Sequence, residues 1–410
     1  MASAKLAHPS FPATASPRLR PSLHSEHIYQ TQCPNPAAAM STLYPCIGYA
    51  NKYRPAPPEA YNFYIHGVEQ LVGIVPKYFV DELFWNPRFS FHEDVDAQDG
   101  DNIIGKIILH TEPTRNDDGQ LPYVEYIPKC CETAFDEFIA DNSAKFPSFA
   151  KWLNTPFEER EREYSLIHLC DDETPGRIRI PSFLKGFLGI LTVGVHLNVF
   201  SRDYNTGEFS IWVSQRARGR DVAYPGMLDQ IVAGGVDIDD EIEGYLAPSK
   251  TLIREAREET GLLIDWNTKT VATPGTPTVP KIDLGKVQRV SNITFFDKKD
   301  WKAGNLNKDH LEPGLRIIYD LEIKEPKKFH PQGIEEGIEK LECMNVSEVK
   351  KSLLANKWKP NCGLVMLDFL LRRNIINADN DASFSRMLQE LRPEMPIRFA
   401  EKYQRNIRGW

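Results

Sequence analysis

Three glutamates, Glu255, Glu258 and Glu259, stand within the ten residues LIREAREETG, from Leu252 to Gly261. On an α-helix, positions i, i+3 and i+4 share a face, so the three carboxylates project to one side. Like charges at that spacing repel, and Arg254, which reaches Glu258 at i+4, is one guanidinium against three carboxylates. The pattern calls for a further positive charge, and oxygen ligands of this kind suit a hard divalent cation, Mg2+ or Mn2+. The competing reading is a solvated helix face laced with weak ion pairs, which is what most mixed-charge runs are.

The flanking residues tip the balance towards the cation. Upstream, QIVAGGV (Gln230 to Val236) is an apolar, strand-like run closing on two glycines, which let backbone approach a ligand closely. Downstream, Gly261 is a helix stop and LLID begins another apolar stretch. The order is strand, glycine turn, loop, carboxylate helix, glycine stop. With REAREETGL at its end it resembles the Nudix box, G-x5-E-x7-R-E-U-x-E-E-x-G-U, where U is aliphatic. Arg254, Glu255, Glu258, Glu259, Gly261 and Leu262 fill the second half of that pattern. Two positions depart from it. The first aliphatic site is Ala256, and Arg254 follows Glu241 after twelve intervening residues rather than seven. The loop DIDDEIEGYLAPSK therefore carries a five-residue insertion, an inexpensive change because closure entropy grows only logarithmically with length. Glu241 is given no role.

The likeness extends beyond the box. The pieces G-V-H-x-N, I-W-V-x-x-R-A, Y-P-G-M-L-D and V-A-G-G, then IIYDLEI and KWKPNCGLVMLDFLLRR, resemble a Nudix branch related to hydrolases associated with thiamine pyrophosphokinase. VGIVPKYFVDELFWNP resembles the accessory domain of that branch, and the whole likeness covers roughly residues 60 to 375. It implies an α+β chain: a Nudix fold, with a mixed sheet sandwiched between helices, preceded by a smaller α+β accessory domain. It also implies a metal-dependent diphosphohydrolase that cleaves a phosphoanhydride in thiamine diphosphate or its oxidised analogues, giving the monophosphate and phosphate, a role in metabolite repair. By the same resemblance Glu258 and Glu259 are the principal metal ligands, Glu255 is a ligand directly or through water, the Gly235 carbonyl adds a donor, and Arg254 orients the glutamates. The catalytic set is then Arg254, Glu255 and Glu258.

Asn198, Trp212, Arg216 and Tyr224 are expected near the cleft, to bind the organic half of the substrate, and Glu335, Glu336 and Glu339 add acidic candidates. Each has an ordinary reading beside it. Trp212 on a strand is a core aromatic, the run GIEEGIEKLE is a solvated charge run, and His196 among apolar neighbours is a hydrogen-bonded core histidine. Asn361 and Cys362 serve equally for capping and packing. Within the same reaction class, ADP-ribose, NADH or another nucleoside diphosphate derivative is the alternative substrate. A non-catalytic ligand-binding protein on a Nudix scaffold is the alternative of another class, favoured by the loop insertion and opposed by the intact glutamates. A kinase reading finds no G-x-x-x-x-G-K-[ST] loop.

Across its 410 residues the chain is 41% apolar and 26% charged, an ordinary globular composition. A formal net charge of −8 argues against general phosphate-backbone binding, so the expected partner is a small diphosphate and not a nucleic acid. No apolar stretch has the length of a membrane span; the nearest, FLKGFLGILTVGVHLNVF, is interrupted by Lys185 and His196. Seven cysteines with no C-x-x-C pair read as reduced thiols of a cytoplasmic protein. The first 25 residues contain no acid, which makes an organelle, the mitochondrion, the alternative compartment. The expected organisation is a flexible extension over 1–59, the accessory domain over 60–170, a linker over 171–182, the hydrolase domain over 183–376 and a tail over 377–410.

Overall fold

The computed structural model describes residues 42–53, 59–93, 103–111, 126–169, 178–219, 222–242, 245–275, 280–304 and 306–399. The fold class is α+β, as the sequence indicated. After a short helix α1 (Pro45–Tyr49) comes a four-stranded sheet made of β1 (Ala60–Ile65), β2 (Gly73–Pro76), β3 (Phe89–Glu93) and β4 (Ile103–Leu109), in the order β2-β1-β4-β3. Helix α2 (Lys77–Glu82) follows β2. Helices α3 (Tyr126–Asn142), α4 (Pro147–Asn154) and α5 (Phe157–Arg162) come next, and this region closes over an aromatic core that includes Phe63, Phe135, Phe138, Phe149 and Phe187.

A hairpin of β5 (Tyr164–Leu166) and β6 (Arg179–Pro181) leads to α6 (Leu184–Leu188). That helix ends on Gly189 in the left-handed region at φ 57°, where an added Cβ would overlap the Ile74 carbonyl; only glycine allows this approach. The Ile74 N–H donates to Gly189 O at 3.2 Å, so the connection is fastened to β2.

The second sheet has nine strands among the described residues. They are β7 (Thr192–Arg202), β8 (Phe209–Arg216), β9 (Leu228–Gln230) and β10 (Val232–Gly235), then β13 (Leu263–Ile264), β14 (Thr270–Ala272), β15 (Asp283–Lys298), β16 (Leu311–Glu322) and β17 (Ile338–Asn345). Between β10 and β13 lie a two-residue-per-strand hairpin, β11 (Glu241–Ile242) with β12 (Tyr245–Leu246), and helix α7 (Pro248–Thr260). The main path runs β13-β14-β15-β16-β7-β8-β17, with β10 added to β7 and β9 to β8. The β16–β7 pair is parallel and its neighbours are antiparallel, so the sheet is mixed.

Alternation along β7 gives the sheet two apolar faces. Val195, Leu197 and Val199 join a core with Leu252 and Ala256 of α7, while Phe200 joins a second core with α8 (Val346–Leu354) and α9 (Pro360–Arg372). The sheet is thus sandwiched between helices. Ala256, the small residue in the aliphatic position, is fully buried in the first of these cores.

Two expected boundaries are corrected. Residues 42–53, assigned by sequence to a flexible extension, pack into the α9 core through Leu43, Cys46, Ile47 and Ala50. They are fastened by Leu43 N–H to Asp381 Oδ2 at 2.9 Å and by Phe296 N–H to Asn51 Oδ1 at 2.9 Å. The supposed tail contains α10 (Phe384–Glu390), buries Met387, Leu391 and Ile397, and pairs Arg392 with Asp368 of α9. Both segments are too short and proline-flanked to show periodicity, and tertiary contacts alone order them. Ile47→Ala should therefore lower the unfolding free energy by about 2–4 kcal/mol, as for other buried Ile truncations, measured by urea denaturation; a freely solvated position would show no change.

Candidate functional site

Helix α7 carries the carboxylates, and its limits follow from sequence. Pro248 occupies the first turn, where a missing N–H costs nothing. Gly261 takes φ 68°, with Gly261 N–H donating to Arg257 O at 3.1 Å and Leu262 N–H to Ala256 O at 3.0 Å. Leu252, Ala256 and Thr260 are buried on the inner face, which turns Glu255, Glu258 and Glu259 towards the end of β10. Strand β10 pairs with β7 so that Ala233 faces His196 and Gly235 faces Gly194.

Arg254 is the centre of the arrangement. Its Nη1 donates to Glu255 Oε1 at 2.9 Å and to Glu258 Oε2 at 3.2 Å, and its Nη2 donates to Gly235 O at 3.3 Å. On the other side Nε and Nη2 form a two-point contact with Asp240 at 3.2 and 3.0 Å. Asp240 is buried and also accepts from Asp237 N–H at 3.1 Å, while Ala247 N–H donates to its carbonyl at 2.7 Å. The lengthened loop after Glu241 is therefore a folded hairpin, and Asp240 at its base delivers a carboxylate to Arg254. Sequence reasoning missed Asp240; its only signal was the acid-rich run DIDDE ahead of the insertion.

Glu259 turns the other way and accepts the Ala233 N–H at 2.8 Å. Gly234 lies against Glu255, and a Cβ at that position would overlap its carboxylate. Burial pushes the Glu255 carboxyl up to about 7, against the lowering effect of Arg254, and pushes Glu259 well above the usual carboxylate range. Glu258 is the exposed member, with 56% of its side chain accessible. Glu335 adds to the negative field at both Glu255 and Glu259, and its loop is tied to the helix by Ile334 N–H to Glu259 O at 2.9 Å.

The donors are carboxylate and carbonyl oxygens with too little local positive charge, which fits a hard divalent cation. The carboxylates are not drawn into one tight cluster, because Arg254 spans Glu255 and Glu258 while a backbone N–H holds Glu259. Among the described residues, three potential ligand atoms converge within 4.8 Å at His196, Asp229 and Cys362. That group is a closed polar network and does not suit a cation. Asp229 is already held by Arg216 at 3.3 Å and Lys359 at 3.6 Å, and burial keeps the Cys362 thiol protonated. His196, whose pKa burial lowers to about 3, shares a 2.8 Å hydrogen bond with Gln230, the core histidine expected from sequence.

The residues expected to bind the organic half are dispersed. Asn198 is buried under α9, donating to Asp320 at 3.0 Å, and is not brought to the carboxylates. Its strand parity points it to the opposite face of the sheet. Tyr224 is buried with Met227 and Ala303 and has φ 56°, and Arg216 is spent on Asp229 and the Ala223 carbonyl. Glu339 pairs with Arg218 at 3.0 Å. Trp212 is on the α7 side, 5.3 Å from Phe329 in an edge-to-face contact, and lines a cavity of about 460 Å3 with His330 and Lys327.

No family model matches the chain. It is similar to an uncharacterized protein of Saccharomyces cerevisiae, 26% identical over 218 residues, 52% of this chain and 56% of that one. It is also similar to the chloroplastic Nudix hydrolase 20 of Arabidopsis thaliana, 27% identical over 208 residues, 50% of this chain and 46% of that one. The chain thus spans about half the length of the curated relatives it matches. A solved NUDIX hydrolase from Alicyclobacillus acidocaldarius is 14% identical with a TM-score of 0.29, over 41% of this chain and 85% of that one. Among the described residues no helix is long and apolar enough to cross a membrane.

Two outcomes follow for the site. Because the Glu255 carboxyl stands at about 7 when folded and 4.5 when unfolded, the folded state holds a proton that the unfolded chain releases. The Glu255 contribution to the stability of the metal-free protein is therefore fully present below 4.5 and is lost as pH rises from there through about 7. Thermal melts in chelator should show that fall, reduced in Glu255→Gln. Gly234→Ala should displace Glu255 and weaken Mn2+ binding about 10- to 100-fold, measured by calorimetry; unchanged affinity would remove Glu255 from the ligand set.

Proposed function

We propose that this chain is a Nudix-type hydrolase that cleaves a phosphoanhydride with the help of Mg2+ or Mn2+, and that its substrate is thiamine diphosphate or an oxidised analogue, released as the monophosphate and phosphate. The observation that carries the reading is the α7 carboxylate face fixed against Gly234 and Gly235 by one arginine. Similarity to a named Nudix hydrolase supports the reaction class, and the motif resemblance supports the substrate class.

Glu255, Glu258, Glu259 and the Gly235 carbonyl would hold the cation. When bound, the cation supplies positive charge against the diphosphate and acidifies water. The chain's own groups do the rest. Arg254 fixes the rotamers of Glu255 and Glu258 and is itself fixed by Asp240. Glu259 is anchored by the Ala233 N–H and cannot swing away from the strand end. Glu258, exposed and held through a single 3.2 Å contact, is the carboxylate placed to take a proton from attacking water. Trp212 and Phe329 offer an aromatic wall on the same side of the sheet for a heterocycle.

The test is phosphate release from thiamine diphosphate, its oxidised analogues, ADP-ribose and NADH, with Mg2+ or Mn2+ present. The expected result is metal-dependent turnover of a thiamine compound, with kcat reduced about 100-fold or more in Glu258→Gln. Turnover confined to ADP-ribose or NADH would replace the substrate class. Activity equal in wild type and Glu258→Gln would overturn the site.

A further inference from the structure

On the face of the sheet opposite α7, a cleft of about 790 Å3 lies between α8, the edge strand β17 and the turn Pro225–Leu228. Lys340, Glu342 and Met344 of β17 line it, alternating with Leu341, which packs towards the α7 core. Its volume is that of a small-molecule site.

The charge of the cleft runs against that of the protein. Lys340 is paired with Glu342 at 2.8 Å, and Arg218 with Glu339 at 3.0 Å. Glu348 is occupied by the capping box of α8, where it accepts the Asn345 N–H at 2.8 Å. Lys302, Lys351 and Lys357 also line the cleft, and none has an ion-pair partner among the described residues. Three ammonium groups without an ion pair thus line one cleft in a chain of net charge −8. Trp301, 70% exposed, stands at the same cleft. An indole left in water beside ammonium groups is a stacking surface without a partner.

A second, independent feature marks the wall. Tyr224, just before the lining residues, holds φ 56°, a left-handed conformation that is a genuine outlier for a bulky side chain. It is held there by Tyr224 N–H to Lys302 O at 2.7 Å and by burial against Met227 and Ala303. Backbone strain of this kind persists only where the surroundings over-determine it, and it concentrates at ligand sites. Here it ties the lysine-bearing 301–303 turn to the Pro225–Leu228 wall.

We propose that this cleft binds a ring-bearing phosphorylated small molecule, a nucleoside diphosphate in class, with the ring on Trp301 and the phosphates on Lys302, Lys351 and Lys357. The site is separate from the carboxylate helix, and the inference does not rest on the hydrolase reading. Ammonium groups serve as point-charge phosphate binders, so the phosphate end needs no cation.

The experiment is calorimetric titration of the full-length protein with ADP in chelator, with inorganic phosphate as the ring-free probe. ADP should bind saturably without metal. Lys351→Glu and Lys357→Glu should each weaken it by about tenfold or more through charge reversal, with unchanged melting temperature. Trp301→Ala should weaken ADP several-fold and leave phosphate unaffected. Glu258→Gln should bind ADP as wild type does. Absence of saturable binding at millimolar ADP would overturn the proposal, as would wild-type affinity in both lysine variants. Loss of binding in Glu258→Gln would move the ligand to the carboxylate site and overturn it equally.

Discussion

The clamp formed by Arg254 is the constraint on which the arrangement depends. A single guanidinium joins the buried Asp240, at the base of the hairpin, to Glu255, Glu258 and the Gly235 carbonyl, so helix, strand end and loop share one charge. The fork geometry of arginine is what permits this; an ammonium group would satisfy fewer directions at once. Because Asp240 is buried and the glutamates are not all so, the clamp is rooted in the fold and leaves the outer carboxylate free to face solvent.

The same site works against the stability of the fold. Glu255 and Glu259 are half-buried where α7 approaches β10, Glu255 against Gly234 and Glu259 against the Ala233 N–H, and their ionised forms are disfavoured there. A protein selected for stability alone would expose or replace them. Their retention beside a fourth carboxylate, Glu335, makes sense if a cation is expected to compensate them. The loop insertion, which from sequence was an argument for a dead scaffold, folds as a hairpin closed at its base by Ala247 N–H to Asp240 O, and so leaves in place the residue that holds Arg254.

Beneath α9 the chain uses charge differently. Asp320 gathers Asn198, Arg372 and Arg373, and Asp229 gathers Arg216 and Lys359 beside His196 and Cys362. In these networks each carboxylate is paired with cationic side chains, which fixes the packing of α9 on the sheet. They also account for the scattering of the residues first assigned to the substrate. Asn198 and Arg216 belong to strands that do pass the site, but their side chains point into these networks.

What the sequence determined by itself was local. The i, i+3, i+4 spacing put Glu255, Glu258 and Glu259 on one helix face, Gly261 ended that helix, and Asn205-Thr206-Gly207 closed the hairpin between β7 and β8, because each depends on backbone geometry within a few residues. The mixed α+β class was legible for the same reason, as alternation and helical periodicity survive in long segments. Only the tertiary structure decided that Asp240 meets Arg254, that Glu335 comes to the carboxylates, that Asn198 faces away from them, and that Leu43, Cys46, Ile47, Ala50, Met387 and Leu391 complete the α9 core. Each of these depends on which face of a strand or loop meets which distant element, over separations of 14 to 338 residues. Pairing at that range is set by the packing of the whole sheet, and no short stretch of sequence encodes it.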